Sequence, residues 1–300
     1  MSPAASGSRI LADLHVHSTH SDGRYPPRQL CGLAAGAGLT HLALCDHDTL
    51  SGLEPMERAL EELAESKAGA GEPPLVFLPG VELSTGSTGN THVLGYGVQT
   101  GSAELQEALL ESKARRLKRF QVTLERLEEL GLRIPPELLP PSSGGPLGRA
   151  HAARALMGMG AVRTMNEAFD RYLGNGRPAY VPYRRMGTRE AVKLLRRVGA
   201  VPVLAHPCRI GLPQPALFAL VESLQEAGLQ GLEVYHPSAS KEQIAALEAY
   251  ARRRGLLVTG GSDFHGDQGA GDIGKLPQGW HTQGEDVAAL MACMSTAAGA

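Results

Sequence analysis

An α/β barrel interrupted by a helical insertion is the fold that this sequence predicts, and three observations predict it. Seven short runs rich in Val and Leu, most of them bounded by Gly or Pro, read as buried strands. Segments with helical spacing lie between many of them. That alternation is the mark of a parallel sheet, and seven such strands could close into a barrel. The middle of the chain breaks the alternation with one long helical pattern and a cluster of breakers.

Ile10–His17 is the first strand run, and Pro26–Ala37, opened by prolines and closed near Gly36 and Gly38, the first helix. Leu39–Asp48 is the second strand. Ser51–Ser66 follows as a helix, with Ser51 as N-cap and Glu54 three residues on, as in a capping box. Leu75–Glu82 and His92–Val98 are strands three and four. Ser102–Leu130 carries Leu105, Leu109, Leu117, Phe120, Leu124 and Leu127 at near-helical spacing. The breaker-rich stretch Pro135–Gly148 comes next, then shorter helices around Arg149–Met159 and Met165–Leu173. Helices at Thr188–Val198, Gln214–Ala227 and Lys241–Arg254 alternate with strands at Val201–His206, Gly231–His236 and Leu256–His265. The Ala- and Gly-rich tail after Val287 predicts a last helix with a frayed end. The expected organisation is a barrel from residues 1–99 and 186–300, with residues 100–185 inserted as a helical lid over the substrate.

Composition narrows the function. The 300 residues hold 29 basic and 31 acidic side chains, a formal charge of −2, which argues against coating nucleic acid by bulk charge. An aromatic share of 4% leaves little for broad base-stacking platforms. No apolar run approaches a membrane span, and Met1–Arg9 lacks the order of a signal peptide. Cys31, Cys45, Cys208 and Cys293 are scattered, with no Cys-x-x-Cys pair, so packing residues in a reduced, cytoplasmic setting are expected.

Every strand run carries His, Asp or Glu at one end. In Asp13-Leu14-His15-Val16-His17 the two histidines are two apart on a strand, so they face one side and could bind one ion together. Asp22 follows in a turn-forming Asp-Gly pair, within reach of a neighbouring ion. Asp46-His47-Asp48 closes a buried run, a costly placement unless the groups are paired or metal-bound. His47 is the candidate ligand there, with Asp46 or Asp48 orienting it. Glu82 ends the third run with a carboxylate that can bridge two cations, His92 begins the fourth and His206 ends the fifth. Asp263 and His265 share a face after Gly260 and Gly261. Nine donors, six of them among the eleven histidines, thus sit at the ends of six strands. A parallel barrel brings such ends to one mouth, where active sites lie.

The order His-x-His, Ser-Asp-Gly, Asp-His-Asp, Gly-Val-Glu, a lone His, His-Pro and Gly-Ser-Asp-Phe-His spans His15 to His265. It resembles the polymerase and histidinol phosphatase (PHP) superfamily. More narrowly, it is similar to the nucleotide phosphoesterases of that superfamily, which include 3′,5′-nucleoside bisphosphate phosphatases and 5′-to-3′ exoribonucleases. The resemblance implies a distorted (β/α)7 TIM-like PHP barrel and three divalent ions, commonly Mn2+, with Fe or Zn also compatible with imidazole and carboxylate donors. It implies that His15, His17, Glu82 and Asp263 hold one ion, that Glu82 bridges to a second shared with His92 and His206, and that Asp22, His47 and His265 hold a third. Glu82, Asp263 and His206 would then be catalytic through a metal-bound hydroxide that attacks phosphorus in line. The substrate implied is a small nucleotide, with short 5′-phosphorylated RNA as a companion and no obligate protein partner or membrane.

Arg149 and His151 open a helix whose free N–H groups favour anions, and Arg177 returns the chain to the barrel. All three are candidate substrate contacts. Lys113, Arg115, Arg116, Lys118 and Arg119 form a basic run, read as a solvated face balanced by Glu125, Glu128 and Glu129. Tyr180 and Tyr183 read as packing, Cys208 as a bystander and His20 as solvated. Three other readings compete: a histidinol phosphate phosphatase, a non-catalytic nucleic-acid-binding domain that keeps metals for stability, and an amidohydrolase. No strand-end lysine is placed to form the carbamate bridge of the last.

Overall fold

The computed structural model describes residues 10–66, 74–86, 91–139, 147–182, 185–266, 272–276 and 281–297. In chain order these form β1 (Ala12–Val16), α1 (Pro27–Gly36), β2 (His41–Leu44), α2 (Leu53–Ser66), β3 (Val76–Thr85) and β4 (Thr91–Tyr96). Then come α3 (Ala103–Glu129), α4 (Arg149–Gly158), α5 (Met165–Ala168), α6 (Thr188–Arg197), β5 (Val201–Ala205) and α7 (Gln214–Glu226). The chain continues through β6 (Gly231–Tyr235), α8 (Lys241–Arg253), β7 (Leu257–Gly260) and α9 (Gly284–Ala297). Short turns of 3-10 helix at Pro207–Ile210 and π-helix at Phe169–Leu173 fill in.

The seven strands lie in sequence order in one sheet. Val16 bridges Phe264, and the His17 amide donates to the Phe264 carbonyl at 3.0 Å, so β1 meets the end of β7 and the sheet curls into a nearly closed barrel. One expectation is corrected. β4 runs antiparallel to both β3 and β5, while the remaining pairs are parallel. Residues 86–90 are too few for the crossover of a dozen or more residues that parallel neighbours need, so β3 and β4 pair as a hairpin. This is the distortion of the barrel. β3 pairs with β2 along Val76–Pro79 and with β4 along Gly80–Thr85. Gly80 stands at that changeover, where a Cβ would lie 2.7 Å from Cys45 Sγ.

Inside the barrel Leu14, Leu78, Leu94, Tyr96 and Val203 pack together, and Val287 and Leu290 of α9 join them. A second apolar layer, with Leu30, Met56, Leu195, Val221 and Ile244, lies between the strands and the outer helices. A third centres on Phe120, Leu127, Leu156 and Leu173, all from the stretch expected as an insertion. α3 is shared between layers, because Leu105 and Leu109 of its first half pack with the barrel. Ser51 does not cap α2 as expected. Its hydroxyl instead pairs with His20 Nδ1 and Thr49 Oγ1, each at 3.0 Å, and the Glu54 carboxylate pairs with Arg58.

A candidate metal centre at the barrel mouth

The strand directions explain where the nine candidate ligands fall. The other ligand-bearing strands carry donors in or just past their C-terminal halves, whereas reversed β4 presents His92 near its beginning, opposite Ser84 and Ala205. His92 therefore reaches the same mouth as the others. The strand ends are bent to do this: Asp48, His206 and Asp263 have φ of 50°, 29° and 51°. Each such non-glycine residue costs about 1–3 kcal/mol, which surrounding contacts must hold in place.

Glu82 is the hub and is almost wholly buried. Its Oε2 lies 3.4 Å from His15 Nε2, 3.3 Å from His17 Nε2 and 2.9 Å from His47 Nδ1. Its Oε1 lies 2.8 Å from His92 Nδ1 and 2.9 Å from His206 Nε2. Asp263 Oδ1 faces His15 and His17 at 3.6 and 3.2 Å. Asp22 stands 3.2 Å from His265 Nε2, 3.9 Å from His17 Nδ1 and 4.0 Å from His47 Nε2. Among the described residues three groups have ligand atoms within 4.8 Å of one another: His15, His17, Glu82 and Asp263; His17, Asp22, His47 and His265; and His47, Glu82 and His92. These groups take in eight of the nine expected donors, and the ninth, His206, joins them through Glu82 Oε1. The geometry adds two cross-links to the expected partition, since His17 and His47 each offer one nitrogen to one group and the second to another.

These donors fit divalent cations. His15 Nε2, both nitrogens of His17, His47 Nδ1, Asp22 Oδ1 and Glu82 Oε2 are buried without hydrogen-bond partners in the protein. Leaving such atoms bare costs about 1–3 kcal/mol each, so their convergence makes sense as ligation. Charge agrees. Burial would raise the Glu82 carboxyl, but His47, His92 and His15 around it hold it well below the usual carboxylate range. Burial and the neighbouring His265 and His47 lower His17 to about 3, and burial lowers His92 to about 4, whereas at His15 and His47 burial is outweighed by neighbouring carboxylates, which raise both. Around His265 burial is outweighed by Asp22 and Asp263, which lift it to about 10. The mouth attracts positive charge.

Other expectations are corrected. Neither Asp46 nor Asp48 orients His47. Asp46 accepts from the Ser18 amide and hydroxyl at 2.8 and 2.7 Å and from the Ser21 hydroxyl at 2.5 Å, while Asp48 accepts from the Ser84 amide at 2.9 Å and pairs with Arg116 at 2.8 Å. The basic run on α3 is only partly a solvated face. Lys113, Arg115 and Lys118 are exposed, and Arg115 pairs with Glu111. Arg116 and Arg119 turn inward, to Ser84 and the Val181 carbonyl. Arg177 is exposed and lines neither cavity of the mouth. Arg149 donates to the Leu173 carbonyl at 3.1 Å and lies over the rings of Phe169 and Tyr180. His151 accepts from the Gly148 amide at 3.1 Å, capping α4. Tyr183 lies outside the described residues.

The mouth opens into a cavity of about 850 Å³ lined by the candidate ligands other than His15 and His17, together with Arg154, Phe169, Arg209, His236 and Lys275. A smaller cavity of about 170 Å³ shares Asp22, His47 and His92 and is walled by Arg116, Arg119, Arg149, Arg185 and His151. Sequence reasoning missed Arg185, Arg209, Glu233 and His236. His236 had a signal, as it ends a strand run like the ligands. Arg116 and Arg119 were mistaken because the run was weighed as one block, although their i, i+3 spacing puts them on one side with Phe120.

Residues 13–124 match the PHP domain. The chain is 31% identical over 264 residues to a 5′-3′ exoribonuclease of Haemophilus influenzae, covering 88% of this chain and 93% of that protein. It is 33% identical over 274 residues to a 3′,5′-nucleoside bisphosphate phosphatase of Chromobacterium violaceum, with 87% and 90% covered. A metal-dependent phosphoesterase structure from Bifidobacterium adolescentis superposes with a TM-score of 0.80 at 27% identity, over 96% of this chain and 97% of that one. An amidohydrolase structure from Chromobacterium violaceum with bound sulfate gives 0.77 at 30% identity, over 95% and 97%. Fold and site together define a metal-dependent phosphoester hydrolase on a distorted TIM-like barrel. The donor cluster at its mouth is the feature that such chemistry requires. The chain belongs to the PHP family.

Proposed function

We propose that the enzyme removes the 3′-phosphate of a 3′,5′-nucleoside bisphosphate, leaving the nucleoside 5′-monophosphate, and that trimming of short 5′-phosphorylated RNA is a companion activity. One observation carries this reading: a cavity walled by four arginines adjoins the metal centre and shares Asp22, His47 and His92 with it. A substrate with two phosphates fits one into each. The names of the two curated relatives support it.

In this reading His15, His17, Glu82 and Asp263 would hold a first divalent cation, Glu82 with His92 and His206 a second, and Asp22, His47 and His265 a third, with Mn2+ preferred. Such cations would lower the pKa of water and neutralise phosphoryl oxygens. The chain supplies the rest. Glu82 turns one oxygen to each side of the cluster, which fixes the spacing of the donors. Arg149, backed by the Leu173 carbonyl and stacked over two rings, offers a pre-set fork to the second phosphate. Arg116, held against Asp48 and Ser84, stands beside it, so the scissile 3′-ester is the part left facing the cations. Phe169 lines both cavities and offers an apolar surface between the two phosphates. A cytoplasmic setting belongs to the same reading and suits four free cysteines. Among the described residues no helix is long and apolar enough to cross a membrane.

Phosphate release from a nucleoside bisphosphate, a short 5′-phosphorylated RNA, histidinol phosphate and a simple phosphomonoester, each with Mn2+, tests the reading. The bisphosphate is expected to be turned over best. Arg149→Ala should raise its KM by about tenfold or more, a charged hydrogen bond being worth about 1.5–3 kcal/mol, and spare the monoester. Preference for histidinol phosphate, or an equal effect of Arg149→Ala on both esters, would overturn it.

A further inference from the structure

Four buried carboxylates lie behind the mouth, and three of them brace the backbone around it. Asp13 accepts from the Ser262 amide and hydroxyl and from the Gly274 amide; Asp46 and Asp48 hold the Ser18 and Ser84 amides. Glu233 on β6 differs, because one of its oxygens meets the imidazole of a candidate ligand, where Asp13 reaches only the His15 amide. Its side chain is fully buried. Oε1 accepts from His15 Nδ1 at 2.9 Å, and Oε2 accepts from the His206 amide at 2.7 Å.

We infer that Glu233 is a positioning residue that sets two metal ligands at once, His15 on β1 and His206 after β5; the inference rests on the reading of the metal centre above. A carboxylate at His15 Nδ1 keeps the proton on that nitrogen and leaves the Nε2 lone pair aimed at Glu82 and Asp263, 3.4 and 3.6 Å away. The other oxygen grips the backbone of His206, whose φ of 29° needs an external hold. His206 Nε2 thereby stays on Glu82 Oε1. His15 belongs to the first ion position and His206 to the second, so one residue from a strand that supplies no ligand adjusts both.

Glu233→Gln preserves shape but replaces one acceptor oxygen with a donating amide, so either His15 or the His206 amide loses its partner. Equilibrium dialysis against buffered Mn2+, at a temperature where circular dichroism shows both proteins folded, is expected to give an affinity about 10–100-fold weaker for the variant. Equal affinity overturns the inference and leaves the metal reading standing. A wild-type protein that binds no Mn2+ overturns both. Should the variant fail to fold, the wild type still decides: with 15N-labelled histidine and Zn2+ bound, His15 is expected to ligate through Nε2 with Nδ1 protonated. Ligation through Nδ1 overturns the inference.

Discussion

Glu82 is the single side chain on which most of the donor geometry turns, since His15, His17, His47, His92 and His206 all lie within 3.4 Å of its two oxygens. Glu82→Gln keeps the volume but removes the negative charge that draws the cluster together. We expect phosphate release to fall by two orders of magnitude or more, about 3 kcal/mol of transition-state stabilisation, with the far-ultraviolet spectrum unchanged. Activity within threefold of wild type would show that Glu82 does not bridge. The nine donors were legible in the sequence because they flank the ends of buried apolar runs, and a desolvated His or Asp there needs a reason. Glu233 was not legible. It lies inside the β6 run rather than at its end, and nothing local tells that its partners are His15 and His206, 218 and 27 residues away.

At the scale of elements, the strands and the long α3 followed from period and punctuation, with ends within a few residues of the expected ones. The direction of β4 did not. Its apolar pattern is the same whichever way it runs, and only the shortness of residues 86–90 held the clue. Ser51 misled because a capping box is a local pattern, and here His20 and Thr49 compete for the hydroxyl. The seam between β7 and β1 gives a sharp test of packing. Gly261 lies so close to β1 that a Cβ would meet the His15 amide nitrogen at 2.5 Å and collide with the His15 Cβ. Gly261→Ala is expected to destabilise by about 1–3 kcal/mol, read as a lower midpoint in thermal melts, and to weaken metal binding because His15 must shift. A melt superimposable on wild type would mean that the seam is looser than described.

For the molecule as a whole, the barrel and its closure were expected from alternation and its distortion from the family resemblance, while the seam at Val16 and Phe264 and the β3–β4 hairpin that makes the distortion emerged only in three dimensions. The mouth gathers three depressed carboxylates, Glu82, Asp22 and Asp263, among imidazoles, so cations that bind the folded chain must stabilise it. At a free concentration of about 100 Kd each site adds about 2.7 kcal/mol. Chelation should therefore lower the thermal midpoint by several degrees, and Mn2+ should restore it. A midpoint indifferent to chelator would show that the donors hold no cation in the native state.

Because β4 is reversed, the chain leaves it beside the start of β5, at the floor of the barrel. α3 must then climb the outside wall, and its 27 residues give it about 40 Å to do so. The lower turns lean on the wall through Leu105 and Leu109, Arg116 arrives level with Ser84 and Asp48, and Phe120 and Leu127 reach the upper layer. The helix thus acts as a spacer: the height at which Arg116 meets Ser84 and Asp48 is counted out in helical turns from Leu109.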